Sequence, residues 1–129
     1  MAIRALLLLS LMLVTTPKAW SADDNDLLRV LQSGRCANCS LADADLVHAD
    51  LRDADLQGAE LQRANLGQAR LDGADLKGAN LSFTSLNGAS LRGADLRDSR
   101  LYGTDLRKSD LSGAQLNPGA LEQSHWQGA

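Results

Sequence analysis

The sequence predicts an all-β coil of square cross-section, a single domain wound from five-residue units, and three observations predict it. A leucine recurs at every fifth position from Leu41 to Leu121. The position two before each leucine is always small. The position two after it is repeatedly glycine, at Gly58, Gly73, Gly78, Gly88, Gly93, Gly103 and Gly113.

The leucine spacing excludes both ordinary elements. In an α-helix residues five apart sit about 140° from one another, so the leucines would scatter around the cylinder. In a flat strand an odd spacing sends successive leucines to opposite faces. A coil with regular corners gathers them: three extended residues, the first and third inward, then two that turn the chain by about a quarter revolution. Four such units close a turn of about twenty residues, an internal repeat that takes precedence over local propensity. The predicted core is then Leu41, Leu46, Leu51, Leu56, Leu61, Leu66, Leu71, Leu76, Leu81, Leu86, Leu91, Leu96, Leu101, Leu106, Leu111 and Leu116; Leu121 continues the series and Cys36 takes the slot before it. The other inward slot is mostly alanine, with Cys39, Thr84, Ser99, Thr104, Ser109 and Gly119 as small exceptions. Large beside small is what a narrow, close-packed interior needs, and glycine is the residue that tolerates a tight corner.

Units such as "ADLQG", "ADLKG", "ANLGQ" and "ADLRD" resemble the A(D/N)Lxx units of pentapeptide-repeat proteins, from about Cys36 to Gln123. The resemblance implies a right-handed quadrilateral β-helix of about four to five rungs, with the leucine and the small residue inside. It implies little about activity, because a shared architecture carries many functions.

Residues 1–21 read as a signal peptide. Arg4 begins it, an apolar run from Ala5 to Val14 follows, and Ala19 and Ser21 precede a cleavage after Ser21, with Ala22 as the neighbouring alternative. The run is too short for a hydrocarbon core that needs about twenty residues, so no stable membrane anchor is expected after processing. The destination is the periplasm or the exterior, or a thylakoid lumen in a host that has one.

A short capping helix is predicted from about Asn25 to Gln32, within 22–34. Asp24, Asn25 or Asp26 would cap it, Leu27, Leu28, Val30 and Leu31 would face the first rung, and Gly34 would end it. The coil occupies 35–123, and 124–129 form a tail in which Trp126 either covers the last rung or faces a partner.

Removing Arg4 and Lys18 from 13 basic residues leaves 11 against 16 acidic, a net charge of −5. Such a chain is repelled by phosphate backbones and anionic lipid, so no nucleic acid is expected as a direct partner.

Cys36 and Cys39, in "CANC", both occupy inward slots. In an exported protein they form either a disulfide across a corner or two buried thiols. No histidine follows for haem, no helix start activates the pair, and no further zinc ligands lie nearby, so no cofactor or metal is expected. His48 sits at a corner and His125 in the tail, neither beside a predicted pocket. Stacked twenty apart, Arg52, Asp72 and Arg92 alternate in sign and predict cross-rung ion pairs. Asp55, Asp75 and Asp95 form an acidic column with three readings, of which the first is favoured: solvated carboxylates that bond nearby backbone, a strip that docks a partner, or a cation site.

A filled coil offers no concave site where nucleophile and base could converge, so no enzyme is expected. The predicted function is a non-catalytic, exported scaffold that binds an unidentified protein, with a homodimer through the last rung left open. The alternative is an acidic DNA mimic that binds a nucleic-acid enzyme such as gyrase, which the resemblance to gyrase-protecting members raises and export disfavours. A calcium-responsive solenoid would need converging acids, and here they are dispersed.

Overall fold

The structure, a computed structural model, describes residues 22–129; the predicted signal peptide lies outside them. From Arg35 onward the chain winds as a β-helix in which residues twenty apart pair as parallel bridges, such as Asp55 with Asp75 and Asp75 with Asp95. The Leu76 N–H donates to Asp95 O at 2.8 Å, and the Asp75 N–H donates back to Ala54 O at 2.9 Å. Every turn is thus tied to the turns before and after it.

Each corner is a four-residue turn, closed by donation from the residue three after the leucine to the leucine carbonyl, as in Ala79 N to Leu76 O at 3.0 Å. The second corner residue has positive φ, the conformation that type II turns give to glycine. Gly78 adopts φ 70. Non-glycine residues are forced into it as well, among them Asp43, His48, Arg63 and Phe83, all near φ 60.

Where an aspartate or asparagine precedes the leucine, it has a local task. At nine positions its Oδ1 accepts the N–H two residues on, for example Arg97 N to Asp95 at 3.1 Å and Ser82 N to Asn80 at 3.1 Å. A short side chain with a carbonyl-type oxygen closes that ring better than a hydroxyl does, which explains the D/N of the unit.

Leucines 41 through 106 are buried, none more than 5% exposed. Leu111, Leu116 and Leu121 also face the core but are only partly covered, because they lie on the last turn. The polar residues in the small slots are satisfied: Thr84 Oγ1 donates to Leu61 O at 2.6 Å and Thr104 Oγ1 to Leu81 O at 2.7 Å.

Helix α1 spans Asp24–Ser33. Its N-cap is Asp23, one residue earlier than expected, because Asp23 Oδ1 reaches the N–H groups of Asn25 and Asp26 at 2.8 and 3.3 Å. Gly34 ends it in the left-handed region. Val30 is buried and Leu27 partly so, while Leu28 and Leu31 face outward. Four apolar residues at 27, 28, 30 and 31 span about 160° of helix, wider than the stripe one contact face can cover. Asp26 Oδ2 accepts Ser40 N at 2.9 Å and ties the helix to the first turn.

The last residues depart from the tail expected for 124–129. His125 bridges Asp105, and Leu106 N donates to His125 O at 2.6 Å. Ser124 through Gly128 therefore form another unit, with Trp126 in the leucine slot. Between it and the regular coil lies a bulge caused by Pro118. That slot requires positive φ, which the proline ring forbids, and the corner passes to Gly119 at φ 74.

Candidate functional site

Asp55, Asp75 and Asp95 stack in one column, and each Oδ1 is occupied by the N–H of Gln57, Lys77 or Arg97. Asp75 also accepts from Gln57 Nε2 at 2.7 Å. Both oxygens of Asp75 and Asp95, and Oδ1 of Asp55, are engaged within the fold.

Three arginines are clamped locally. Arg52 makes paired hydrogen bonds to Asp50 at 2.8 and 2.7 Å, Arg97 to Asp95 at 2.9 and 2.7 Å, and Arg107 to Asp105 at 2.9 and 2.8 Å. The arginine hydrogen bonds, aided by the backbone N–H, lower Asp50, Asp95 and Asp105 to about 2. The cross-rung pairs expected along Arg52, Asp72 and Arg92 do not form. Arg52 finds its acid two residues back on the same face, and Arg92 lies 3.8 Å from Asp110. Cross-rung pairs occur instead between Arg63 and Asp43 at 2.8 Å and, more loosely, in that Arg92–Asp110 contact.

Cys36 and Cys39 are joined by a disulfide with Cα atoms 5.1 Å apart, and the Arg29 guanidinium lies 2.9 Å from the Cys39 sulfur. His48 and His125 are exposed. Among the described residues no group of three or more His, Cys, Asp or Glu is placed to hold a metal ion. No described helix is long and apolar enough to cross a membrane.

The aromatic residues stand out. Phe83, Tyr102 and Trp126 are the aromatics of the described region, and they are 56, 55 and 51% exposed. Phe83 and Tyr102 meet edge to face, with centroids 5.4 Å apart. Beside Tyr102 the Pro118 bulge opens a cleft of about 510 Å³ whose walls include Ser82, Arg100, Ala120 and Glu122. A shallower apolar hollow of about 330 Å³ lies at the end of the coil, between Leu116, Leu121 and Trp126. Sequence reasoning singled out Trp126 and passed over Phe83, Tyr102 and Arg100. The available signal was an aromatic at a corner, in slots where the other units place no aromatic side chain.

The family profile "Pentapeptide repeats" matches residues 35–73 and 74–113, with eight copies. The chain belongs to the pentapeptide-repeat family. Among solved pentapeptide-repeat structures it is similar to alr5209 from Nostoc Pcc 7120, at 36% identity over 76% of this chain and 78% of that one, with a TM-score of 0.64. It also aligns with Rfr23 from the cyanobacterium Cyanothece 51142, at 24% identity over 79% of this chain and 97% of that one, with a TM-score of 0.38. No curated protein matches the chain.

Proposed function

We propose that this pentapeptide-repeat protein is an exported, non-catalytic docking module whose partner is a protein held against the aromatic side of the coil. In this reading residues 1–21 direct export and are removed. The coil makes four to five right-handed turns, about twenty residues each, and α1 caps the first of them. The observation that carries it is the separation of side chains: leucine and alanine fill the interior while Phe83 and Tyr102 lie together, half-exposed, on the side of the coil. Aromatics contribute most to stability when buried, and half-exposed ones are enriched at interfaces. The filled interior supports a surface role over catalysis, and the net charge of −5 supports a protein partner over a phosphate backbone.

The test is photo-cross-linking in the native host. A tagged full-length chain carries a benzophenone amino acid at Tyr102, with a second version carrying it at Gln68 on another face, and the cells are fractionated. The reading predicts a processed product outside the cytoplasm and a discrete protein adduct from position 102 that is absent from position 68. An unprocessed cytoplasmic product, or identical adducts from both positions, would end it.

A further inference from the structure

Arg35, Arg70 and Arg100 precede the inward slot, and among the described residues none forms an ion pair; Arg35 stacks on Asp55 and Arg70 on Asp50, and Arg100 alone of the three has no aspartate beside it. Arg52, Arg97 and Arg107 each follow a leucine whose preceding residue is an aspartate, so the acid and the base share one face, two residues apart. In Arg100-Leu101-Tyr102 the order is inverted: the arginine precedes the leucine and an aromatic takes the slot after it. The residue stacked before Arg100 is Asn80, which offers no charge.

The same face opens next to it. In regular turns the second corner N–H donates to the carbonyl nineteen residues on, as Phe83 N does to Tyr102 O at 2.9 Å. Gly103 N instead reaches Gln123 O, twenty residues on, at 2.7 Å. The additional residue lifts the Pro118 bulge off the face and leaves the cleft with Arg100 and Tyr102 on its walls. Tyr102 is braced from behind by Phe83, so its ring is already positioned.

We propose that this cleft docks an extended segment of a partner protein that carries a single carboxylate next to an apolar side chain. The carboxylate pairs with the Arg100 guanidinium, which can present two parallel N–H groups, and the apolar group lies against Tyr102 and Phe83. Glu122 on the cleft wall disfavours a second acid and sets the charge at one. The overall negative charge is distributed over a coil longer than the screening length of about 8 Å, so the local cation decides. The volume lies within the range of sites that take small groups, about 300–1,000 Å³, which suits two or three residues of a peptide. The proposal rests on the docking-module reading and names what that module recognises.

The experiment is an amide NMR titration of the processed protein with acetyl-Gly-Leu-Asp-Leu-Gly-amide, and with twins in which Asn or Lys replaces the Asp. The expected result is a set of shifts centred on Arg100, Leu101 and Tyr102 with the Asp peptide at about 2 mM. Binding should weaken about tenfold for the Asn twin, for Arg100→Gln and for Tyr102→Ser. Arg70→Gln, on another face, should bind as wild type. No shifts with the Asp peptide, equal binding of the three peptides, or full retention by Arg100→Gln each overturns the proposal. The cross-linking experiment repeated with Arg100→Gln separates the two claims: an undiminished adduct from position 102 keeps the docking module and removes this cleft from it.

Discussion

The Phe83 ring stands at 85° to the ring of Tyr102, nineteen residues later and on the next turn of the coil, with centroids 5.4 Å apart. The contact is made from a backbone of φ 59, which a bulky residue adopts only at a cost. The strain of the corner offsets the half-exposed ring contact, so the Phe83 side chain contributes little net stability.

Replacing Phe83 with glycine tests that statement. Glycine relieves the positive φ and forfeits the half-exposed ring contact, two effects of about 1 kcal/mol each and opposite sign. Chemical denaturation should show a stability within about 1 kcal/mol of wild type, while the cross-linked adduct from position 102 is lost.

Gly103 carries the opposite consequence. A Cβ there would lie 2.7 Å from the Phe83 ring, whereas at Gly78 nothing is within 4 Å, and both residues have positive φ. Gly103→Ala and Gly78→Ala share the backbone penalty of about 1 kcal/mol. Gly103→Ala should therefore melt lower than Gly78→Ala, and Phe83→Gly should remove the difference.

The aspartate of the repeat has two separable roles, at Asp105 an acceptor for Arg107 N at 3.1 Å and an ion pair with the Arg107 guanidinium. Asp105→Asn keeps the first and removes the second; Asp105→Ala removes both. Because Asn keeps the backbone bond and loses only a solvent-screened charge pairing, thermal melts at pH 7 should place Asn between wild type and Ala, with Ala lower than wild type by about 1 kcal/mol.

Acid should act through the same groups. Asp95 and Asp105 are lowered from 3.8 to about 2, first by their arginine hydrogen bonds. The unfolded chain then takes up protons before the folded one, so their contribution is complete above about pH 4 and is lost as pH falls toward 2. Melts should be level from pH 7 to about 4 and decline below it. The doubly substituted Asp95→Asn, Asp105→Asn chain should decline less steeply over the same window.

Much of this architecture was legible in the sequence because one spacing admits one coil. Leucines at every fifth position, small residues two before them and glycine two after fix the inward slots and the corners together. The candidate site was harder to see. Periodicity marked Trp126 as the end of the rhythm, yet it sits in the leucine slot of one more unit, because the register resumes after the bulge. Pro118 was visible as an interruption, but its effect depends on a φ that only the corner geometry reveals. The Arg52, Asp72 and Arg92 column was misread as paired across turns because sequence spacing does not show that a same-face aspartate two residues away is the better partner. The inverted order at Arg100 becomes meaningful only once those clamps are seen.

The central claim is that the leucine beside each corner points into a filled coil while the next residue points out. Leu76 is fully buried and Lys77 exposed. Circular dichroism melts of Leu76→Asp and Lys77→Asp in the processed protein test this most directly, since an unpaired buried carboxylate costs several kcal/mol and an exposed one almost nothing. Loss of the cooperative transition in Leu76→Asp, with a wild-type-like melt for Lys77→Asp, is the predicted result; a preserved midpoint in Leu76→Asp would contradict the fold as described.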